Sequence, residues 1–192
     1  MLRPVFPVNA PNVLTLLRIL LVPVLVVALL GETEHGDVLA AGVFALASVT
    51  DAIDGHLARR SGAITTFGKL MDPVADKLLV VAALVSLVSL ERLAAWVAMV
   101  IIAREFAVTV SRMAATQQGV VLAASWWGKA KTIVQVAAIF FVIAYDPTPL
   151  WVDLLVYSAV SITIVSGIDY FFGLRRGLRE AEQRRAAGLD PA

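Results

Sequence analysis

Six apolar runs, separated by short polar turns, limit what this chain can become. They cover residues 12–30, about 38–60, 67–90, 93 to about 115, about 121–145 and 150 to about 172. A helix that crosses a bilayer needs ~20 predominantly apolar residues, and each run supplies them. Hydrophobic residues make up 59% of the chain and charged residues 16%, against the roughly 25% usual in soluble domains. The fold class that follows is an all-α integral membrane protein with six transmembrane helices. The expected domain layout is a six-span catalytic membrane domain over residues 1–174 and a basic cytoplasmic tail over 175–192. The first run is not read as a signal peptide. It carries Arg18, and the G-E-T-E-H-G-D that follows offers no A-x-A-like cleavage site. With no cysteine, the chain has no disulfide framework, thiol nucleophile or zinc-thiolate site.

The cations are distributed one-sidedly. Six spans place both termini on one side, and of the 16 Lys and Arg residues only Arg92 falls in a turn on the other. By the positive-inside rule both termini are cytoplasmic. Depth can be counted from the outer turns at ~1.5 Å per residue. Glu32 back to Arg18, Asp37 to Asp51, Glu91 back to Asp76 and Asp146 back to Lys131 each come to about 21–22 Å; Arg92 to Arg104 gives about 18 Å and Asp153 to Asp169 about 24 Å. Every span thus carries an ionisable group at a similar level in the cytoplasmic half. One polar cavity bounded by lipid and open to the cytoplasm would satisfy all of them. Such a cavity suits a reaction between a lipid headgroup and a water-soluble molecule.

The stretch from Asp51 to Asp76, D-A-I-D-G-H-L-A-R-R-S-G-A-I-T-T-F-G-K-L-M-D-P-V-A-D, is the richest in chemistry. Asp51 and Asp54 are spaced i, i+3, and Asp72 and Asp76 i, i+4, so on helices each pair shares a face. Ionisable residues at membrane depth are costly and mark function by default. Four carboxylates so close together call for cations between them, and hard divalent ions prefer such oxygens and bridge substrate phosphates. Two ions of this kind stabilise in-line displacement at phosphorus. Gly55 permits close approach of a ligand to the helix backbone, Arg59 suits a phosphate oxygen, and Asp76 could also serve as general base.

These residues carry a resemblance. D-x-x-D-G-x-x-A-R, eight residues, then G-x-x-x-D-x-x-x-D resembles the signature of the CDP-alcohol phosphatidyltransferase family, here Asp51, Asp54, Gly55, Ala58, Arg59, Gly68, Asp72 and Asp76 without departure. The resemblance implies that family's six-helix fold, a homodimer, two divalent cations (Mg²⁺ or Mn²⁺) and a CDP-linked lipid, CDP-diacylglycerol, as donor. It implies Asp51, Asp54 and Asp72 as metal ligands, with Asp76 contributing to the metal site and acting as catalytic base. Gly55, Ala58, Arg59 and Gly68, with Asn12 and Thr15 of the first span, fall to the CDP donor.

Three further stretches resemble family members whose acceptor is sn-glycerol 3-phosphate: N-V-L-T-L-L-R (Asn12, Thr15, Arg18), A-R-E-F-A-V-T-V-S-R (Arg104, Glu105, Arg112) and G-K-A-K-T-I-V-Q (Lys129, Lys131, Thr132, Gln135). Arg104, Arg112, Lys129, Lys131 and Arg18 are the cations expected at the acceptor phosphate. The expected reaction is transfer of the phosphatidyl group to that acceptor at the cytoplasmic face of a bacterial inner or plasma membrane. The membrane lipid is a partner and nucleic acid is not.

Simpler readings compete at several positions. Arg104, Arg112, Lys129 and Lys131 could serve as interfacial anchors, Asn12 and Thr15 could cap the first helix, and Asp169 fits a structural partner within the cavity. Trp126 and Trp127 fit an interfacial belt, and the basic tail a patch facing anionic lipid. Another acceptor (inositol phosphate, serine or phosphatidylglycerol) is the nearest functional alternative. A cation channel or transporter is a different class, disfavoured because the outer halves of the spans lack a polar track.

Overall fold

The computed structural model describes residues 10–31, 33, 35–61, 66–117, 120 and 125–187; the side chains of 10–12, 14, 51–76 and 185 are outside that description. Among the described residues all regular structure is helical: α1 (Ala10–Leu30), α2 (Gly36–Ser61), α3 (Thr66–Ser89), α4 (Ala95–Gln117), α5 (Trp126–Ala144) and α6 (Leu150–Ala186). The helices follow the apolar runs, with two differences. α5 starts only at Trp126, where the Ser125 side chain accepts a hydrogen bond from the Gly128 N–H at 3.2 Å and satisfies one of the free donors of the first turn. α6 continues as one helix through the expected boundary at 174/175, a length of ~55 Å over its 37 residues.

α1 packs on α2 and α3, α5 on α2 and α6, and α4 on α3 and α6. The fully buried apolar residues fall near the ends of α1, α3 and α5 and near the starts of α2, α4 and α6. Leu25, Phe44, Leu87, Val97, Ile143 and Val152 are examples. The dry core therefore fills one half of the bundle. Close helix approach there excludes side chains at some positions: a Cβ on Gly36 would meet the Ala28 carbonyl oxygen at 2.6 Å.

The turn between α3 and α4 is built by its backbone. The Glu91 N–H donates to the Val88 carbonyl at 3.1 Å and the Arg92 N–H to that of Leu87 at 3.0 Å, with Glu91 at φ 60°. This is a Schellman end, which satisfies carbonyls that the last helical turn leaves free. It also aims Arg92 across the bundle. Arg92 Nη1 donates to Asp37 Oδ1 at 2.7 Å and Nη2 to Asp146 Oδ2 at 2.8 Å. Asp37 opens α2 and Asp146 lies between α5 and α6, so one guanidinium draws the α1–α2, α3–α4 and α5–α6 connections to one end of the bundle. The hydrogen bond to Asp37, offset in part by burial, raises the Arg92 pKa above the usual arginine value. The clamp's arginine is therefore charged at every working pH, and its own charge is lost only under strongly alkaline conditions. This pairing accounts for the one cation found on the otherwise cation-free side.

The outside of the bundle is apolar. Val27, Val38, Met99, Ile133, Leu150 and Phe172 are largely exposed, on five different helices. Exposed apolar surface on this scale marks contact with lipid or protein. By length and composition, Trp126–Ala144 and Leu150–Arg184 are apolar enough to cross a membrane. Among the described residues, Thr15–Leu30, Gly36–Thr50 and Lys77–Ser89 are further apolar stretches, on α1, α2 and α3.

Arg92→Met should lower the thermal midpoint in detergent by about 2–4 °C, because a half-exposed ion-pair network contributes about 1 kcal/mol. A denaturation scan checks this, and Asp37→Asn should reproduce part of the shift.

Candidate active site

Beneath the dry core the buried residues change character. Thr15 and Arg18 on α1, Lys131 and Gln135 on α5 and Thr163 and Ser166 on α6 are all buried and polar. A cavity of about 650 Å³ opens among α1 to α5 at this level. Arg18, Ser48, Lys77, Glu105, Lys131 and Gln135 supply its polar lining, and Leu79, Val80, Ile102, Val136, Phe140 and Phe141 are among its apolar walls. The cavity is thus polar in one part and apolar in another, as a site for an amphiphile requires.

Glu105 is the centre of the charged part. Its Oε2 accepts from Lys77 Nζ at 3.2 Å, and its Oε1 accepts from Lys131 Nζ and, at 3.4 Å, from Arg104 Nη1. Lys77 belongs to α3, Arg104 and Glu105 to α4, and Lys131 to α5. A lone buried ammonium is costly and is found paired, and Glu105 supplies that pairing for Lys131. Lys131 and Gln135 are one turn apart on α5 and share a face. Gln135 is only 3% exposed, and its Oε1 has no hydrogen-bond partner among the described residues. A buried amide oxygen left unpaired costs about 1–3 kcal/mol, and Gln135 stands in the cavity wall.

The structure divides the expected acceptor cations. Arg18 and Lys131 line the cavity. Arg104 turns to α6, where Nη2 donates to Ser166 Oγ at 3.1 Å and its stem lies 3.4 Å from where a Gly167 Cβ would be. Arg112 sits over the Tyr170 ring at 5.7 Å, a cation–π contact away from the cavity lining. Lys129 is exposed. Asp169 is exposed on α6 and absent from the cavity lining, so it is not the internal partner its depth suggested. Depth alone does not report which way a helix face turns. Thr15 is buried one turn before Arg18, which places it inside the bundle. Trp126 and Trp127 are exposed at the start of α5, as an interfacial belt requires.

The donor and metal residues are placed by backbone only. Asp51, Asp54, Gly55, Ala58 and Arg59 fall within α2, and Gly68, Asp72 and Asp76 within α3; their side chains, and that of Asn12, lie outside the described residues. Among the described residues no three His, Asp or Glu side chains form a metal cluster. The cavity nonetheless adjoins the aspartates along the chain. Ser48 and Val49 line it just before Asp51, and Lys77 lines it just after Asp76. A donor set made only of carboxylates fits a hard divalent ion such as Mg²⁺ or Mn²⁺.

The sequence model of CDP-alcohol phosphatidyltransferases matches residues 8–165. This chain belongs to the CDP-alcohol phosphatidyltransferase family. Its relatives include a probable phosphatidylglycerophosphate synthase of Mycobacterium tuberculosis, 43% identical over 90% of this chain and 83% of the relative. A CDP-diacylglycerol–glycerol-3-phosphate 3-phosphatidyltransferase of Bacillus subtilis is 42% identical over 85% of this chain and 93% of its own length. One of the same name from Haemophilus influenzae is 37% identical over 84% and 91%. All the cavity-lining residues lie within the part matched to the CDP-alcohol phosphatidyltransferase family, and the end of α6 lies beyond it.

Sequence reasoning assigned no role to three residues of this site. Lys77 counted only towards the charge asymmetry, Glu105 appeared only beside Arg104, and Gln135 only within a motif. Two signals could have found them. Gln135 shares a helix face with Lys131, and Glu105 is a carboxylate set among cations at the same depth.

Proposed function

We propose that this chain is a phospholipid-synthesising transferase that moves the phosphatidyl group from CDP-diacylglycerol to sn-glycerol 3-phosphate, giving phosphatidylglycerophosphate and CMP. The observation that carries the reading is the cavity lined by Arg18, Lys77 and Lys131 beside the aspartate-bearing parts of α2 and α3. The names of the relatives supply the donor and the acceptor.

The enzyme spans the membrane six times, with both termini and the cavity at the cytoplasmic face. Support comes from the Arg92 clamp, which gathers three alternate connections at one end, and from the cations gathered towards the other. A bacterial inner or plasma membrane suits it, and a homodimer is the expected assembly. The long end of α6 carries Arg175, Arg176, Arg179 and Arg184 towards anionic lipid.

Asp51, Asp54, Asp72 and Asp76 would hold two divalent cations, which when bound offset the charge of the donor diphosphate. Arg59 takes a phosphate oxygen of the donor, with Gly55, Ala58, Gly68, Asn12 and Thr15 around the CDP group. Lys131 and Arg18 take the acceptor phosphate, with Lys77 close by. Gln135 Oε1 accepts a hydrogen bond from the acceptor's second hydroxyl. Arg104, Arg112 and Lys129 contribute field and local structure at this end of the bundle. Asp76 accepts the proton of the primary hydroxyl as its oxygen bonds to the β-phosphorus. The bond from that phosphorus to the bridging oxygen breaks, and CMP departs with the electron pair.

The deciding assay offers purified protein, CDP-diacylglycerol and Mg²⁺ a panel of acceptors and measures CMP release. Release dependent on sn-glycerol 3-phosphate is expected. Dependence on inositol phosphate, serine or phosphatidylglycerol would reassign the acceptor, and no release with any acceptor would sink the transferase reading. Asp76→Asn should lower kcat by at least about 10²-fold with donor binding largely intact. Substantial turnover in that variant excludes Asp76 as the base. Lys131→Met should raise the KM for glycerol 3-phosphate about 10-fold or more, as loss of a charged hydrogen bond predicts, with little change for the donor. Equal effects on both substrates would assign Lys131 a structural role.

A further inference from the structure

We infer that Glu105 is a positioning residue that sets the register between the acceptor's phosphate cation on α5 and the proton-accepting end of α3. The inference rests on the function proposed above. On that reading the acceptor is held at two places, its phosphate at Lys131 and its hydroxyl at Asp76. These residues belong to different helices, and Asp76 is followed directly by Lys77. Glu105, on a third helix, binds both lysines. Oε2 accepts from Lys77 at 3.2 Å, and Oε1 from Lys131. The carboxylate is a two-sided spacer between α3 and α5.

The rest of its surroundings favour fixed geometry over mere neutralisation. Glu105 is largely buried and takes a third contact from Arg104 at 3.4 Å, and Arg104 is itself tied to Ser166 of α6 at 3.1 Å. Ser166 in turn donates to the Thr163 carbonyl at 3.0 Å. The spacer is thus anchored through α4 to α6, on the far side from the cavity. A glycerol 3-phosphate skeleton has a limited reach, so its hydroxyl meets the base only if the two helices keep within that reach. A displacement of ~1 Å at such a point costs on the order of 10²-fold in rate.

Glu105→Gln keeps the shape but turns an amide NH₂ towards one of the two ammonium groups, which must then move. Binding of a small anion has no such need for register, and the loss of a negative charge favours it. The expected signature is therefore split. In Glu105→Gln, kcat should fall about 10²-fold. The KM for CDP-diacylglycerol should stay within about twofold, and inhibition by inorganic phosphate should be unchanged or tighter. In Glu105→Gln with Lys77→Met, which removes one ammonium group and lets the amide oxygen face Lys131, the thermal midpoint should return towards wild type while kcat stays low. Recovery of kcat in the double variant would show that Glu105 only neutralises charge and would overturn the inference. A higher acceptor KM at unchanged kcat would overturn it too, as would parallel loss of phosphate inhibition and donor binding. If wild-type CMP release does not depend on sn-glycerol 3-phosphate, the acceptor reading fails alone. The comparison of kcat then uses whichever acceptor the panel identifies.

Discussion

Burying charge in an apolar bundle is the constraint on which this structure turns. An isolated ammonium or carboxylate taken from water costs several kcal/mol even after relaxation, so each buried one must be paired or must meet a ligand. Glu105 answers that demand for Lys131 and contributes to it for Lys77 and Arg104. Among the described residues one carboxylate faces three cations there, an arrangement that suits the phosphate of the proposed acceptor.

This division of charge explains the division of the bundle. One half is closed by Leu25, Phe44, Leu87 and Ile143 and tied at its end by Arg92. The other half opens into the cavity. A rigid dry half holds five helices so that their polar residues converge at one level, and side chains held by packing are what a preorganised site requires.

Much of this was legible in the sequence, because depth along a helix is a count of residues. The six runs became six helices, and the level inferred for Arg18, Arg104 and Lys131 is the level at which the buried polar residues lie. Rotation about the helix axis was harder to read. Lys129 and Lys131 were grouped by depth, yet residues two apart point to nearly opposite faces, and one is exposed while the other is buried. Arg104 and Glu105 differ by ~100° of helix rotation, which sends the first to Ser166 and the second to the lysines. Asp169 had the right depth and the wrong face. The aspartate motif was legible as chemistry because its spacing is local, whereas Glu105 acts between helices distant in sequence and no spacing announces it.

The two parts of the site therefore differ in how freely they could change. The aspartate stretch lies on two consecutive helices, α2 and α3. The proposed acceptor end draws Arg18 from α1, Lys77 from α3, Glu105 from α4 and Lys131 and Gln135 from α5. A change of acceptor needs only new side chains at that end, since the helices are already held by the dry half. Gln135 is the position where such a change would cost least. Its amide oxygen has no hydrogen-bond partner among the described residues, so a substitution of similar volume breaks no hydrogen bond of that oxygen and alters what the cavity offers a ligand.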